Sequence, residues 1–342
     1  MSSTSSPRTD TSLPVLPKKS VPKHKSRKRW LIGACAGVLI IIGAVVAYVL
    51  LGTQVTPLKL PMLPANLSDD QIGLAQWQEY QLPLPAHPLS NPSLPARPQV
   101  TPGLASLEDA AGQAFIKQGD LTRGLAYLKA AALAVPDNLR YSNDYRLALR
   151  DHQLYQDELA FFMALARKLQ TPNTTIQYAL AYVDLMRSCP KPPDGLVCQA
   201  QDSYSSIGIL NGLLEKNPYN IVARYVRGLN HIYWPTQMRH LPNAQEDLQY
   251  AVALSRFQMK ISPGFAPQAY IALGDVFGKA GDIKVARNVW LNGLNAVSTR
   301  EQTPLQQRLA IPQDQLTSME NQQLRGLGVY VNTDLSLFWM KG

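Results

Sequence analysis

The segment PQAYIALGDVFGKAGDIKVARNVWLNGLNAVSTR, residues 267 to 300, decides the fold of this chain. Its apolar side chains recur every three or four residues, which is the period of an α-helix with one buried face. The periodicity breaks at Gly281 and Asp282, two residue types that favour tight turns. The segment therefore predicts two helices of about a dozen residues each, joined by a short turn.

Small and aromatic residues stand in this segment where two paired helices would touch. Gly274 and Ala286, one on each predicted helix, let the backbones approach closely, and aromatic side chains fill the space beside them. The residues of this packing pattern are Tyr270, Leu273, Gly274, Phe277, Ala286, Trp290 and Gly293. Their spacing resembles that of the tetratricopeptide repeat, a helix-turn-helix unit of 34 residues, except that Ser298 replaces the closing proline.

A second unit with the same pattern spans residues 105 to 138. Gly112 and Gly124 take the close-packed positions, and the turn is again Gly-Asp, at Gly119 and Asp120. Two units so far apart in the chain indicate that the interval between them is built in the same way.

Three weaker units fill that interval, and their predicted bounds are residues 141 to 171, 174 to 217 and 221 to 256. The first of them places Arg146 and Glu158 where small residues are expected. The resemblance implies an all-α solenoid of about five helix pairs over residues 104 to 300. Residues 301 to 342 are predicted to form a C-terminal capping segment, with a short hairpin or cap near its end.

The N-terminal region predicts a membrane anchor. No charged residue occurs between Arg29 and Lys59, and the apolar run from Trp30 to Leu51 is long enough to cross a bilayer. Residues 1 to 29 carry eight Lys or Arg against one acid, so the positive-inside rule predicts a cytoplasmic tail. We expect a signal anchor at residues 30 to 52 and a single-pass inner-membrane protein with a periplasmic C-terminal domain, lumenal or extracellular in a eukaryote.

Two further features of the N-terminal region bear on partners. Gly33 and Gly37 have the spacing that allows close helix pairing in lipid, which makes a homodimer possible. The basic run is short, lacks interleaved aromatic residues and abuts the predicted bilayer, which argues against a nucleic-acid partner. Residues 53 to 103 hold ten prolines and predict a semi-extended linker.

Cysteine and histidine residues give little sign of chemistry. Cys189 and Cys198 bracket a proline-rich loop and predict a structural disulfide on an oxidising side of the membrane, although two free thiols remain the alternative. His231 and His240 flank a Trp-Pro turn, where ordinary packing is a simpler interpretation than a metal site. No phosphate loop, nucleophile elbow or zinc motif occurs in the sequence, so we predict no catalytic residue, metal or cofactor.

The resemblance also implies where partners would bind. Tetratricopeptide solenoids generally bind peptides or helices of partner proteins on a concave surface lined by the first helix of each pair. In that register the candidate binding residues are Asp109, Gln113, Ile116, Lys117, Gln268, Ile271, Asp275 and Lys279. Tyr225, Tyr233 and Trp234 form a possible aromatic anchor, the alternative being that they belong to the core between repeats.

These features predict a membrane-anchored, non-enzymatic periplasmic scaffold or assembly factor. Two alternatives stay open. One is a lumenal type II membrane enzyme, because the order of tail, span, stem and domain matches that of many glycosyltransferases. The other is a purely structural envelope protein without a defined peptide client.

Overall fold

The computed structural model describes residues 55–191, 193–257, 264–312, 314–316 and 331–339. The described residues from 55 onward belong to one compact unit, which is all-α and contains no β-strand. A four-residue helix, α1, spans Trp77–Tyr80. Ten longer helices follow as five antiparallel pairs, and a shorter helix, α12, comes after the last pair.

The five pairs follow the predicted units closely. They are α2 (Ala105–Lys117) with α3 (Leu121–Ala134), α4 (Leu139–Asp151) with α5 (Tyr155–Leu169), α6 (Pro172–Leu185) with α7 (Leu196–Lys216), α8 (Ile221–Ile232) with α9 (Leu241–Phe257), and α10 (Phe265–Lys279) with α11 (Ile283–Ala296). Helix α12 spans Thr303–Ala310 and packs against both helices of the last pair. The all-α arrangement of five helix pairs that the sequence predicts is confirmed.

The first helices of successive pairs contact one another, so α2, α4, α6, α8 and α10 form a continuous layer. We call this the layer of first helices. Among the described residues the second helices make their main contacts with the first helices before and after them. The layer is therefore the surface on which side chains from all five pairs come together.

Turn chemistry explains where the second helices of the two clear repeats begin. Gly119 and Gly281 have positive φ angles of 88° and 90°, a conformation that costs glycine little. The aspartate that follows each glycine caps the next helix, because its carboxylate accepts the N–H of Arg123 or Val285. The weaker α4–α5 pair makes the same kind of turn through Gln153, with φ of 61°.

Small residues bring the paired helices together as predicted. A Cβ atom placed on Gly112 would lie 2.9 Å from the carbonyl oxygen of Gly124, so these two backbones touch. In the last pair Gly274 instead makes room for an aromatic ring, because its Cβ would lie 2.0 Å from Nε1 of Trp290. The remaining predicted packing residues Tyr270, Leu273, Ala286 and Trp290 are buried, while Phe277 is half-buried.

The proline-rich linker, which the sequence predicts to be semi-extended, packs against the helix pairs. Residues 55 to 101, which we call the strap, run along the repeats in reverse order. Thr56 bonds Asn288 and Asn292 on α11, at 2.8 to 2.9 Å, and the carbonyl of Ile72 accepts the N–H of Ile221 at the start of α8 (2.9 Å). The strap then reaches α4 and α6 through Tyr80, and α3 through Pro95.

The strap contributes to the core as well as to the edge of the repeats. Leu67, Ile72, Leu74 and Tyr80 are buried in the same apolar cluster as the helices of pairs three to five. Prolines prevent regular helix here, as the sequence predicts, but an extended chain still buries apolar side chains wherever its own N–H groups find partners. The domain therefore begins near residue 55.

The described residues contain no helix that combines the length and the apolar character needed to cross a bilayer. We therefore correct the prediction of a single-pass inner-membrane protein with a periplasmic domain, since no such anchor is found in the described structure. The predicted signal anchor, with Gly33 and Gly37, lies outside the described residues. The function proposed below involves no membrane anchor.

For the end of the chain the sequence predicts a short hairpin or cap. Residues 331 to 335 are extended and lead into a single 3₁₀ turn at Ser336–Phe338. Cys189, which follows α6, and Cys198, in the first turn of α7, are joined by a disulfide. This bond closes the loop that splits the third pair.

We expect Gly274→Ala to destabilise the chain by about 1 to 3 kcal/mol, because the added methyl group collides with the buried indole of Trp290. Urea unfolding followed by circular dichroism measures the change. Gly212→Ala is the matched control: Gly212 is an exposed helical glycine with open space around its Cβ position, so this change should stabilise by about 0.5 to 1 kcal/mol. Equal effects of the two changes would contradict the packing described here.

We expect Cys189 and Cys198 to resist alkylation in the denatured, unreduced chain and to react after treatment with dithiothreitol. Mass spectrometry of the tryptic peptides reads this directly, and free thiols without reductant would rule out the disulfide. Replacing both cysteines by serine should cost about 2 to 3 kcal/mol of stability, because closing a loop of this length restricts the unfolded chain.

Candidate functional site

The layer of first helices already holds an extended piece of the chain. Residues Val331 to Trp339, which we call the tail segment, lie against α4, α6, α8 and α10. Side chains at 331, 333 and 335 are buried and residue 332 is exposed, which is the alternation of an extended strand. We call the residues that contact it the tail-binding face; they are Asn143, Arg146, Arg150, Val183, Asp184, Met186, Arg187, Tyr225, Leu229, Tyr233 and Phe265.

Arg146 on α4 is the centre of this face. Its guanidinium group is fully buried and donates to Oε1 of Gln177 (2.7 Å), to Oδ1 of Asn143 (3.0 Å) and to the carboxylate of Asp184. It also donates to the backbone carbonyl of Thr333 in the tail segment. One side chain thus joins α4, α6 and the tail segment.

Other polar contacts also fix the tail segment. Arg187 donates to the carbonyl oxygen of Val331 (3.3 Å), and the N–H of Leu335 donates to Oδ1 of Asn143 (3.0 Å). The hydroxyl of Thr333 donates to Asp184 (2.7 Å) and accepts from Arg150 (3.1 Å). The face therefore recognises the backbone at three positions and a hydroxyl side chain at one.

Apolar pockets lie at both ends of these polar contacts. Val331 packs with Val183 and Met186 at the C-terminal end of α6. At the other end, the ring of Phe338 stacks on Phe265 with centroids 4.4 Å apart, and Tyr225 meets it edge-on at 6.0 Å. Trp339 contacts Tyr80 of the strap at 5.9 Å. The tail segment is therefore anchored by aromatic rings as well as by hydrogen bonds.

Glu158 on α5 lies close to the carboxylate that Arg146 binds. It is fully buried, and desolvation together with the charge of Asp184 raises the pKa of Glu158 well above its usual range. Arg146 acts in the opposite direction, but burial outweighs it. Glu158 is therefore a neutral carboxylic acid near pH 7, and a single negative charge at Asp184 faces the buried Arg146.

A second carboxyl pair lies one helix pair earlier, between α2 and α4. The amide of Gln113 bridges Asp109 and Asp144, at 3.0 Å from each. Burial raises the pKa of Asp144 to about 6, and burial together with the charge of Asp144 raises the pKa of Asp109. Asn143 links this pair to Asp334 of the tail segment at 3.4 Å.

The predicted binding residues of the first repeat have different surroundings from one another. Asp109 is buried, Gln113 forms the bridge just described, and Lys117 is exposed. Ile116 covers Gly124 inside the helix pair, because a Cβ on that glycine would lie 2.4 Å from its Cγ1. Their role in partner binding stays a prediction.

The predicted residues of the last repeat serve mainly in internal contacts. Asp275 accepts from Arg308 of α12 at 2.6 Å. Lys279 donates to the carbonyls of Ile232 and, at 2.7 Å, Trp234, at the C-terminal end of α8. Gln268 is half-buried, and Ile271 packs against the main core cluster. Partner binding by this set also stays a prediction.

The possible aromatic anchor divides into two parts. Tyr225 and Tyr233 belong to the tail-binding face, whereas Trp234 points away from it. The indole of Trp234 stacks on His240 at 4.3 Å and donates to the hydroxyl of Ser203 at 2.8 Å. Two of the three aromatic residues therefore contact the chain's own tail segment.

Groups that suggest metal binding have structural partners. His231 and His240 contact each other through their Nδ1 atoms at 2.8 Å, and burial lowers the pKa of both, so they remain neutral. Cys189, Cys198 and Asp202 lie close enough to share an ion. The two sulfurs are joined to each other, however, and a disulfide sulfur lacks the thiolate charge that metal binding needs.

Sequence reasoning missed the residues that matter most here. Arg146 and Glu158 stand out in the sequence as large polar residues at positions for small ones, which is a usable signal. Asp184, Arg187 and Asn143 give no such sign, because their partners lie in the tail segment more than 140 residues away. The sequence pattern of Val329, Val331, Leu335 and Phe338 predicts a short hairpin or cap, but it does not show that this segment binds the layer of first helices.

Comparisons with known proteins find similar solved structures at low sequence identity. No family model and no curated protein matches this chain. A thermophilic TPR protein of Thermus thermophilus, TTC0263, is 16% identical, with 60% of this chain and 97% of that chain covered and a TM-score of 0.45. MamA (41-end) of Desulfovibrio magneticus RS-1 is 16% identical, with 56% and 94% covered and a TM-score of 0.36. The tetratricopeptide-like assignment rests on the helix pairs of this chain itself.

We expect Glu158→Gln to reduce the pH dependence of stability. Because the folded-state pKa of Glu158 lies above its unfolded value, the carboxyl stabilises the fold fully at acidic pH and loses that contribution as the pH rises. Between pH 5 and 8 the wild type should lose up to about 1.4 kcal/mol per pH unit relative to the variant. Urea unfolding at each pH measures this.

Glu215→Gln provides the control for that experiment, because Glu215 is an exposed glutamate on α7. Its pH profile should run parallel to that of the wild type. A Glu158→Gln profile that also runs parallel would show that Glu158 titrates normally in the folded protein.

Proposed function

We propose that this chain is a non-enzymatic scaffold that binds an extended segment of a partner protein across its layer of first helices. The observation that carries the proposal is the tail segment, which occupies this layer in an extended conformation. Arg146, Arg187 and Asn143 all bind its backbone. Backbone contacts of this kind supply affinity for any extended chain, and the pockets beside them supply selectivity.

The same face has the composition of a protein-binding surface. Arginine and tyrosine are among the residue types that contribute most to binding energy at interfaces, and Arg150, Arg187, Tyr225 and Tyr233 all lie here. The groups that would suggest an enzyme are in structural contacts in the described residues, the cysteines with each other and the histidines with each other. A scaffold therefore accounts for the arrangement better than a lumenal enzyme does.

The experiment that tests the proposal is chemical cross-linking of the full chain in its own cells, with cross-linked peptides identified by mass spectrometry. We expect cross-links from one partner segment to residues of the layer of first helices. Arg187→Ala should reduce their yield about tenfold, because that change removes a charged donor to the partner backbone (about 1.4 kcal/mol).

Arg167→Ala is the matched control, since Arg167 is an exposed arginine on the second helix α5. This variant should capture the partner as the wild type does. Cross-links that map to the second helices, or that survive Arg187→Ala unchanged, would show that the binding surface lies elsewhere. Asp275 and Lys279 are poor probes, because their contacts with α12 and α8 make a folding defect the expected result.

A further inference from the structure

The tail segment is held in the way that a bound peptide is held. Its backbone is bound by side chains of α4 and of the 3₁₀ turn that follows α6. Its apolar side chains pack on the main core cluster and, at Val331, on a second smaller cluster. In the described residues it is connected to the repeats by packing and side-chain bonds and adds no α-helix or strand of its own to the stack. A segment of this kind can be exchanged without unfolding the repeats beneath it.

The face beneath the tail segment is costly to leave empty. Without it, buried Arg146 loses an acceptor at the carbonyl of Thr333, and Asp184 loses a donor at the hydroxyl of Thr333. Arg146 keeps its bonds to Gln177, Asn143 and Asp184, but each partner that a buried charged group loses costs free energy. Release of the tail segment is therefore more favourable when another chain supplies the same groups.

Those groups define a chemical pattern. The replacing chain must be extended, with a backbone carbonyl for Arg146 and a threonine or serine hydroxyl for Asp184. It must carry an aliphatic residue two positions later, as Leu335 is here, and an aromatic ring three positions after that for the Phe265 and Tyr225 pocket. An acidic side chain in place of Asp334 suits the amide of Asn143.

We propose that the tail segment is a resident ligand of the tail-binding face, and that it is displaced in direct competition by a partner segment of the pattern aliphatic-x-Thr-Asp-Leu-x-x-Phe. This inference rests on the proposed function and adds to it the chemistry of the partner and a means of regulation. Weak or unmatched peptides do not displace the tail segment, whereas a segment that satisfies the same buried groups does.

Competition is measured with the full chain and a fluorescein-labelled peptide of the sequence of residues 331 to 342. The variant Phe338→Ala/Trp339→Ala weakens the resident segment, because both rings leave their aromatic pockets. Fluorescence anisotropy should show that this variant binds the peptide at least tenfold more tightly than the wild type. Ser336→Ala, a change in the same segment that leaves the rings in place, should behave as the wild type.

The peptide itself carries the second control. A peptide with valine in place of threonine at the position of Thr333 keeps its shape but lacks the hydroxyl that bonds Asp184, and it should bind the double variant about tenfold more weakly. Equal affinity of the two peptides would overturn the assigned chemistry. Equal affinity of the wild type and the double variant for the original peptide would overturn the competition.

Hydrogen exchange of the wild-type chain keeps the proposal testable if the double variant does not fold. Excess unlabelled peptide should speed exchange of the chain's own amides at residues 331 to 339 and leave those of α4 unchanged. Unchanged exchange at the tail segment would mean that it is a fixed part of the core, and the inference fails. That failure would not affect the proposed function, which the cross-linking experiment tests separately.

Discussion

Arg146 carries a charge that it cannot lose, at a position that solvent does not reach. The donors of a buried guanidinium must find acceptors, because its desolvation otherwise strongly destabilises the fold. The acceptors come from α4, α6 and the tail segment, so these three elements are bound to a common geometry. Neutral Glu158 beside Asp184 leaves one carboxylate to balance the charge of Arg146.

This constraint divides the repeats into two kinds. The first and last pairs are held by small residues that allow close approach, at Gly112 with Gly124 and at Gly274 with Trp290. The second pair has a buried arginine and a buried glutamate at the corresponding positions. Arg146 instead joins α4 to α6 and to the tail segment through hydrogen bonds of fixed direction, and that requirement extends the domain to include a segment from the far end of the chain.

How far the sequence predicts this structure depends on the range of each interaction. The Gly-Asp turns at residues 119 and 281 and the five helix pairs follow from patterns within about 34 residues, and they appear as expected. The positions of the strap and the tail segment do not follow from such local patterns. Tyr80 and Thr333 bond residues that are far away in the sequence. Proline content correctly predicts that the strap is irregular, but it does not show that the strap packs against the helix pairs.

The free energy of binding the tail segment favours its exchange for a partner segment over its permanent attachment to the tail-binding face. Burying Val331, Leu335, Phe338 and Trp339, together with six hydrogen bonds, contributes about 9 to 21 kcal/mol. Ordering nine residues costs about 9 to 18 kcal/mol. Because the two quantities nearly cancel, the tail segment stays in place chiefly because it is tethered beside its own site and because the empty face is unfavourable. A partner that meets the same buried groups needs only a modest excess of contacts, or a high local concentration, to take its place.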